Sequence, residues 1–372
     1  MTGNFFLVLK RPAVMSLFTL ATYSIAMPVK PLIPLAFTHD EHHPENKTVT
    51  IIAGDAGGTK TNMALFRADE NGVTQLREGR YVSHEYNSLA DIIIQFAANE
   101  WPDRICVAVA GPVLHGKVKL TNLSWQLDSD AMSTALKVPV AFLNDLEATA
   151  DGLSAIQSNE LVALNANTVS AEGNIALISP GTGLGEAGLY WDGNAYHPFA
   201  AEGGHSDFAV RSEQDIELYR FLQQQFGHVS WERVVSGPGI HTIFNFLTTV
   251  QRKTVPAWLI DEMKNGDPSA VISNAALHQN EVVCVETLQL FSRYLATEAA
   301  SLVLKLKATG GCYLGGGIPP KILPVLQQDE WIKNFINCGR MKTLLEQVPV
   351  YVILNQKLPL LGAAHYAAFS MR

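Results

Sequence analysis

The chain has 372 residues, of which 47% are apolar and 17% are charged, and its net charge is −8. This composition is typical of a soluble globular protein and excludes a disordered one, and the length allows two domains with a hydrophobic core in each. The acidic balance argues against a nucleic-acid binder, which needs a basic face, but it allows a nucleotide substrate, which needs only a local site.

The first 47 residues allow two interpretations. Lys10 and Arg11 precede an apolar stretch with small residues near Ala26, and this pattern resembles a secretory signal peptide. Four prolines interrupt the stretch, however, so we expect no membrane span. We predict that residues 1–48 are an N-terminal extension that is disordered or dispensable, with an export or anchoring signal as the alternative. The histidines within 39–47 have no fixed ligand spacing, which favours a solvated linker over a metal site.

Strands and helices are predicted in regular order from Val49 onward. The sequence "IIAGDAGGTKTNMALF" (51–66) predicts a β-hairpin, with strands at 49–53 and 62–67 joined by a glycine-rich turn. Two further short, buried strands are predicted at 104–110 and 138–143, each followed by residues that stop a strand.

A second unit of the same kind follows. The predicted strand 174–179 runs into "PGTGLGEAG" (180–188), and residues 188–191 return as another strand. Because a strand–glycine turn–strand unit occurs twice, we predict an internal duplication, with two lobes that face a cleft.

The pattern then becomes helical. Residues 212–215 resemble a capping box that opens a helix, and Gly227 is placed to end it. The longest periodic stretch is 281–308, where apolar residues recur at intervals of three, four and seven. The remaining predictions are a strand that leads into "LGGGI" (314–318), a last strand at 348–354 and a last helix at 360–369.

The four cysteines are spread along the chain and form no Cys-x-x-Cys pair. Neither a structural zinc site nor a disulfide framework is therefore predicted. We expect reduced and mostly buried thiols, as is typical of a cytoplasmic enzyme. These residues are Cys106, Cys284, Cys312 and Cys338.

The first glycine turn has the chemistry of a phosphate site. Gly57 and Gly58 let the backbone approach a phosphate closely, and Thr59 and Thr61 add hydroxyl donors. Asp55 would repel a phosphate, so its expected role is to hold Mg²⁺, directly or through water, beside the β- and γ-phosphates.

Two later loops have similar composition. Gly181-Thr182-Gly183 offers the same backbone donors from the other lobe, and Gly315-Gly316-Gly317 could admit a base or ribose. A single glycine turn is more often only a turn, and neither the Walker A nor the dinucleotide spacing is present. Three such loops at strand ends in one chain favour nucleotide binding.

Asp145 is the candidate general base. Phosphoryl transfer to an alcohol needs a group that accepts the hydroxyl proton, and Asp145 directly follows a predicted apolar strand. The alternative is that Asp145 caps a helix that starts at Leu146.

A second group of polar residues is suited to binding a sugar. Sugar hydroxyls both donate and accept hydrogen bonds, so they need several fixed carboxylates, amides and imidazoles. Glu202 and His205 lie three residues apart with two glycines between them, and Glu232 and Asn144 supply further groups. Taken alone, the Glu-x-x-His pair could be a surface pair or half of a metal site, although no nearby Cys or His adds ligands.

These motifs together resemble a known superfamily. "DAGGT" (55–59), "GTGLG" (181–185) and "LGGGI" (314–318) are similar, in that order, to the phosphate-1, phosphate-2 and adenosine elements of the actin-like ATPases. The finer pattern resembles the bacterial glucokinases from about Val49 to the C-terminus. It consists of "LND" (143–145), "EGGH" (202–205), "GHVSWERVVSGPGI" (227–240), "VPVYVI" (348–353) and "LLGAA" (360–364).

The resemblance implies an α/β, two-lobed actin-like ATPase (ribonuclease H-like) fold with the active site in the interdomain cleft. The small domain would comprise 49–154 plus 356–372, and the large domain 155–355. The implied activity is ATP-dependent phosphorylation of glucose at the 6-hydroxyl, a step of glycolysis, with Asp145 as base and with ATP and Mg²⁺ as cofactors. Asn144, Glu202, His205, Glu232 and Asn122 would bind glucose; Asn122 lies in "TNLSW" (121–125), whose Thr121 and Trp125 also match the family. The resemblance also implies a cytoplasmic homodimer.

The chain departs from the family at Asn62, where an arginine is common, and so lacks one positive charge near the phosphates. The alternatives are a kinase for another hexose or aminosugar and a non-catalytic sugar-binding regulator. The repressor/open-reading-frame/kinase group usually carries a clustered-cysteine zinc motif that is missing here. A regulator would lose Asp145 and add a basic helix-turn-helix, and a filament or chaperone-like ATPase would lack the sugar residues.

Overall fold

The structure is a computed structural model that describes residues 32–36, 48–69, 72–120, 123, 125–165 and 172–371. Its strands are β1 Val49–Ala56, β2 Lys60–Asp69, β3 Gly72–Val82, β4 Arg104–Val109, β5 Lys117–Lys119, β6 Gln126–Asp128, β7 Val140–Asn144, β8 Leu161–Ala163, β9 Ile175–Pro180, β10 Leu184–Trp191, β11 Tyr196–Ala201, β12 Gly311–Leu314 and β13 Val350–Ile353. Its helices are α1 Leu89–Ala97, α2 Ser129–Leu136, α3 Asp145–Gly152, α4 Glu213–Phe226, α5 Gly237–Thr249, α6 Ala257–Asn265, α7 Pro268–His278, α8 Val282–Leu306, α9 Leu323–Leu326, α10 Asp329–Phe335, α11 Lys342–Leu345 and α12 Leu358–Phe369.

Two sheets have the same plan. The first has the order β3-β2-β1-β4-β7 and the second the order β11-β10-β9-β12-β13-β8. In each, the first three strands form an antiparallel meander, and the next two strands join in parallel. The order and direction of five strands are therefore repeated, as the predicted internal duplication requires.

The inner strands of the first sheet, β1 and β4, are buried on both faces because they carry apolar residues at successive positions. Ile52 of β1 packs with α1 and α2 on one face, and the adjacent Ile51 packs with α12 on the other. Successive side chains of a strand point to opposite faces, so a sheet that is covered on both sides needs nearly continuous apolar strands.

The second sheet is also covered on both faces. Ile178 of β9 joins the core that α5, α7 and α8 form, whereas Leu177 packs with Leu153, which follows α3. The predicted long helix is confirmed as α8, which is the 25-residue helix at the centre of the larger core.

The two halves exchange a helix. Helix α3 follows the first sheet, but its Ala150 lies in the core of the second sheet, whereas α12 follows the second sheet and packs on the first. A Cβ on Gly152 would overlap the Leu358 carbonyl, and one on Gly362 would overlap the Ala148 carbonyl. The helices therefore cross in direct backbone contact. The domain boundaries 49–154 with 356–372, and 155–355, stay a prediction.

The predicted start of α4 is confirmed, with one difference in the capping bonds. The Ser212 side chain accepts from the Asp215 N–H at 3.2 Å, as an N-cap does, and Gly227 ends the helix. The Asp215 carboxylate reaches back to the Arg211 N–H at 2.9 Å, one residue before the position that a capping box uses.

A short N-terminal segment is part of the core, which corrects one expectation. Ile33 and Leu35 are buried with α3 and β9 to β11, and the Tyr196 N–H donates to the Pro34 carbonyl at 2.8 Å. For residues 32–36 the prediction of a disordered extension is therefore wrong. The predicted signal-like stretch and the histidines of 39–47 lie outside the described residues.

The cysteines agree with the prediction of reduced, mostly buried thiols. Cys106, Cys284 and Cys312 are buried, Cys338 is partly exposed, and all four are free. Within the part of the chain that the structure describes, none of the helices is both long and apolar enough to cross a membrane.

Candidate active site

Several of the predicted site residues lie at the carboxyl ends of parallel strands. Strands β1, β4 and β7 run in parallel, so the segments that follow them share one edge of the first sheet. Asp55 is near the end of β1, and Asn144 and Asp145 are at the end of β7. Strands β9 and β12 likewise bring the second and third glycine loops to one edge of the second sheet.

Asn144, not Asp145, is the N-cap of α3. The Asn144 Oδ1 accepts from the Leu146 N–H at 2.9 Å, and its Nδ2 donates to the Gly111 carbonyl at 3.1 Å. Asp145 is the first helical residue, and its Oδ1 shares the Leu146 N–H at 3.0 Å. The capping role that was the alternative for Asp145 therefore falls mainly to Asn144.

Two other carboxylates, Asp55 and Glu202, act on the charge of Asp145. Burial raises the pKa of Asp145 to about 6; the charges of Asp55 and Glu202 act in the same direction, and the backbone N–H of Leu146 opposes them. Asp145 therefore remains mainly ionised at pH 7 but is more basic than an exposed aspartate. A general base benefits from this combination, since its pKa then lies nearer the working pH.

The first glycine turn, residues 57–60, is stabilised by a hydrogen bond within the turn and by one from Ser83. The Gly57 N–H donates to the Lys60 carbonyl at 3.0 Å, and the Ser83 Oγ donates to the Gly57 carbonyl at 2.8 Å. Thr59 is exposed, so its hydroxyl is accessible to a ligand. The prediction for Thr61 is wrong, because its side chain is fully buried and hydrogen-bonds the Ser83 hydroxyl at 3.1 Å.

Asn62 lies directly opposite Asp55 across the hairpin. Its Nδ2 donates to the Asp55 Oδ2 at 3.4 Å, so the amide takes the place next to Asp55 where the resembled family often has an arginine. Burial raises the pKa of Asp55, and the Asn62 hydrogen bond and the Lys60 charge oppose this shift.

The second glycine loop is anchored to a helix. The Gly181 N–H donates to the Gly183 carbonyl at 2.8 Å, and the Gly237 N–H, at the start of α5, donates to the Gly181 carbonyl at 2.8 Å. The positive end of the α5 dipole therefore adjoins the loop, an arrangement that favours an anionic ligand.

The third glycine loop lies against the second. The Gly315 N–H donates to the Ile178 carbonyl of β9 at 2.9 Å. Gly316 has a φ of +79°, and a Cβ there would come within 2.5 Å of the Pro180 carbonyl oxygen. Only glycine fits this backbone without strain, whereas around Gly317 the space is open.

The predicted sugar residues form one cluster. His205 lies between two carboxylates, with its Nδ1 3.9 Å from the Glu232 Oε1 and its Nε2 3.9 Å from the Glu202 Oε2. Among the described residues, no group of three or more His, Cys, Asp or Glu side chains is arranged to hold a metal ion. Carboxylate and imidazole groups that face solvent side by side can bind sugar hydroxyls.

Glu232 joins this cluster to the second glycine loop. Its Oε2 accepts from the Leu184 N–H at 3.0 Å, and a Cβ on Gly183 would come within 2.5 Å of the same oxygen. Movement of this loop and movement of the Glu232 carboxylate are therefore mechanically linked.

Several supporting residues were missed by the sequence analysis. Leu146 packs on Gly185, so the helix that bears Asp145 contacts the second loop, and Ser83 holds the first loop. In the sequence, such contacts are indicated only by glycine, which allows other atoms to approach the backbone closely. Gly185 indicates the contact with Leu146, and Gly204 indicates a contact with the Leu184 carbonyl. Trp125 is buried and donates to the Tyr86 carbonyl at 3.2 Å, which is a structural role. Thr121 and Asn122 lie outside the described residues.

The residues at the first loop fit a magnesium ion. Mg²⁺ in kinases is typically held by one or two carboxylates together with phosphates and waters, and Asp55 offers such a carboxylate beside the turn. A pocket of about 630 Å³ also occurs, but its lining, which includes Asn165 and Lys333, contains none of the predicted site residues.

Comparison with known proteins agrees with this geometry. The glucokinase family model matches residues 52–370. The glucokinase of Nostoc punctiforme is 40% identical and aligns over 86% of this chain and 98% of its own length.

Solved structures give the same result. The glucokinase from an Antarctic psychrotroph has 31% identity and a TM-score of 0.73, with 86% of this chain and 98% of that one covered. A Streptomyces griseus glucokinase of the same wider fold has 21% identity and a TM-score of 0.58, with 86% and 99% covered. The chain therefore has the two-domain actin-like ATPase fold and belongs to the glucokinase family, whose members phosphorylate glucose with ATP.

Proposed function

We propose that Asp145 is the general base of glucose phosphorylation at the 6-hydroxyl. The observation that carries this proposal is the position of Asp145, a half-buried carboxylate where β7 ends and α3 begins, whose pKa is raised by burial and by the charges of Asp55 and Glu202. Asp145 accepts the proton of the attacking hydroxyl as the γ-phosphoryl group transfers in line to the sugar oxygen. The products are glucose 6-phosphate and ADP.

The cluster of Glu202, His205 and Glu232 binds the remaining sugar hydroxyls, with Asn144 and Asn122 as further contacts. Two carboxylates with an imidazole between them offer acceptors on both sides of a ring and a donor in the middle. Since Asn144 caps the helix that begins with Asp145, any contact it makes with the sugar also orients the base.

The three glycine loops bind ATP. Gly57, Gly58 and Thr59 approach the phosphates from the first sheet, and Gly181-Thr182-Gly183 approach them from the second, beside the α5 N-terminus. Gly315-Gly316-Gly317 receive the nucleoside. Asp55 would hold Mg²⁺, which would supply positive charge next to the phosphates of ATP. The Streptomyces griseus relative was solved with glucose and AMPPNP, an ATP analogue, which supports the same pair of ligands here.

The site assembles between a small lobe, 49–154 with 356–372, and a large lobe, 155–355. The crossing of α3 and α12 is the natural hinge, since one helix from each half packs on the other. Closure of the lobes excludes water and thereby limits wasteful ATP hydrolysis. We place the enzyme in the cytoplasm, because its thiols are free, and expect a homodimer, as the family resemblance implies.

The test is sugar-dependent ADP formation with MgATP across glucose, mannose, fructose, glucosamine and N-acetylmannosamine. Fast turnover with glucose supports the proposal. Turnover only with another sugar would preserve the mechanism and overturn the substrate. Glucose binding without turnover by any sugar would instead identify a sugar-binding regulator.

A further inference from the structure

Two buried carboxylates lie behind the predicted sugar cluster. Glu186 of β10 is 1% exposed and Glu298 of α8 is fully buried. Within the described chain, neither oxygen of Glu186 and only one of Glu298 has a hydrogen-bond donor. A buried carboxylate without donors is costly, so this arrangement calls for an explanation.

A proton shared between Glu186 and Glu298 would supply the missing hydrogen-bond donor. Two ionised carboxylates can only accept hydrogen bonds, whereas one carboxylic acid donates to a neighbouring carboxylate. Lys305 Nζ is 3.3 Å from the Glu298 Oε1, and the Ser301 hydroxyl also favours the ionised form of Glu298. The proton therefore belongs on Glu186, which has no comparable partner and faces the Glu298 charge.

The pair supports the turn that carries the sugar residues. A Cβ on Gly203 would overlap the Glu186 Oε2, and a Cβ on Gly204 would overlap the Leu184 carbonyl. The segment between Glu202 and His205 thus rests directly on β10, with the Glu186 carboxyl beneath it. Any movement of this carboxyl is transmitted to both sugar-binding side chains.

We propose that Glu186 is a positioning residue for glucose, and that a proton shared with Glu298 keeps the 202–205 turn in its binding position. This inference rests on the proposed placement of glucose at Glu202, His205 and Glu232. Glu186 makes no contact with the reacting atoms; it acts through the turn above it.

The charged and titratable groups that face Glu186 set the direction of its pH dependence. Burial and the charge of Glu298 raise the pKa of Glu186 to about 8. Lys305, which lies on α8 with Glu298, opposes this shift. Cys312 faces it from β12 and is a buried neutral thiol. From the turn above, Gly203 contacts the Glu186 carboxyl, and Glu202 and His205 stand at the two ends of that turn. Above this pKa the pair carries two negative charges in a buried space and separates.

The experiment measures the KM for glucose from pH 6 to 9 in the wild-type enzyme and in Glu186→Gln. In the wild type the KM is flat up to about pH 7.5 and rises up to tenfold by pH 9, since ionisation one unit past a pKa of about 8 weakens binding by at most that factor. Glu186→Gln keeps the shape and a donor but cannot ionise, so its KM stays flat and near the wild-type value at pH 7. The KM for ATP shows no matching rise.

Two further variants make the result specific. In Glu298→Gln the amide can donate to Glu186, and the pair can no longer carry two negative charges. This variant should therefore also abolish the alkaline rise in KM, and it provides a second test should Glu186→Gln fold poorly. Asp151→Asn changes a buried carboxyl on α3 outside the site, so it retains the wild-type pH profile.

Two outcomes overturn the proposal. One is an alkaline rise that persists unchanged in Glu186→Gln, and the other is a wild-type KM for glucose that stays constant to pH 9. Both leave glucose phosphorylation itself intact. If no glucose-dependent turnover occurs at any pH, it is the proposed function that fails.

Discussion

The two glycine turns occupy the same position in two sheets of the same strand order, yet their surroundings differ. The first turn, 57–60, is braced by Ser83 and lies next to the Asp55–Asn62 pair. The second turn, 180–183, is bonded to the N-terminus of α5 and to Glu232. One turn thus adjoins a half-buried carboxylate, and the other is hydrogen-bonded to a residue of the sugar cluster.

The difference arises in the connections between strands. In the first half a single α-helix, α1, separates the third and fourth strands of the repeat, β3 and β4. In the second half five helices, α4 to α8, separate β11 and β12 and bring in Glu232 and α5. The repeated strands provide two similar edges, and the inserted helices make one of them specific for a sugar.

The largest effect on stability is expected from the N-terminal segment 32–36, which packs against the second sheet. Leu35→Ala should lower the free energy of unfolding by about 2–5 kcal/mol, because it leaves a cavity at a fully buried site. Leu32→Ala, at a position that is 54% exposed, is the matched control and should change stability little. Chemical denaturation measures the free energy of unfolding of both variants and of the wild type. If Leu35→Ala is as stable as Leu32→Ala, the segment adds nothing to the core.

A smaller effect is expected when the link between the second turn and the sugar cluster is broken. Gly183→Ala places a methyl group against the Glu232 Oε2, so the KM for glucose and the KM for ATP should both rise, by about tenfold or 1.4 kcal/mol. At Gly181 an added Cβ meets no atom within 4 Å, so Gly181→Ala should affect at most the KM for ATP. Steady-state kinetics with glucose and ATP varied in turn would measure these KM values. An equal change in the KM for glucose in both variants would show that the contact between Gly183 and Glu232 does not matter for glucose binding.

These comparisons also show what the sequence could predict. Alternating and continuous apolar runs located β1, β4, β9 and β12, and glycine runs located the three loops, because both signals are local. The exposed, polar strand β3 was missed, since apolar periodicity cannot indicate it.

Other features depend on residues that are distant in sequence. Thr61 looked like a phosphate ligand, but its hydroxyl bonds to Ser83, which directly follows the neighbouring strand β3. Ile33 lies in a segment whose composition resembles a signal peptide, although it packs against the second sheet. Glu186 looked like an ordinary loop residue, because its partner Glu298 is more than a hundred residues away.

The pH dependence of catalysis should reflect the ionisation of Asp145, at the edge of the first sheet. Asp145 must be ionised to accept a proton, so kcat/KM for glucose should fall about tenfold per pH unit below a pKa of about 6. The folded-state pKa exceeds the usual value, so the carboxyl stabilises the fold at low pH, and this contribution is lost as the pH rises from about 4 to 6. A pH–rate profile that stays flat down to pH 5 would contradict the assignment.

The smallest effect is expected at Asn62. Asn62→Arg places a guanidinium beside Asp55 and near the phosphates, so the KM for ATP should fall severalfold, and the effect should weaken as salt is added. Asn62→Ala removes the amide without adding charge and serves as the control. An unchanged KM for ATP in Asn62→Arg would mean that this position lies too far from the nucleotide to matter.

The most direct test of the account is to compare glucose binding and turnover in Asp145→Asn. Calorimetric titration should give a glucose affinity within a few-fold of the wild type, because the cluster of Glu202, His205 and Glu232 is unchanged. Glucose 6-phosphate formation with MgATP should fall by about 10²–10⁴-fold, the usual contribution of a general base. Turnover within tenfold of the wild type, with binding intact, would show that Asp145 is not the base.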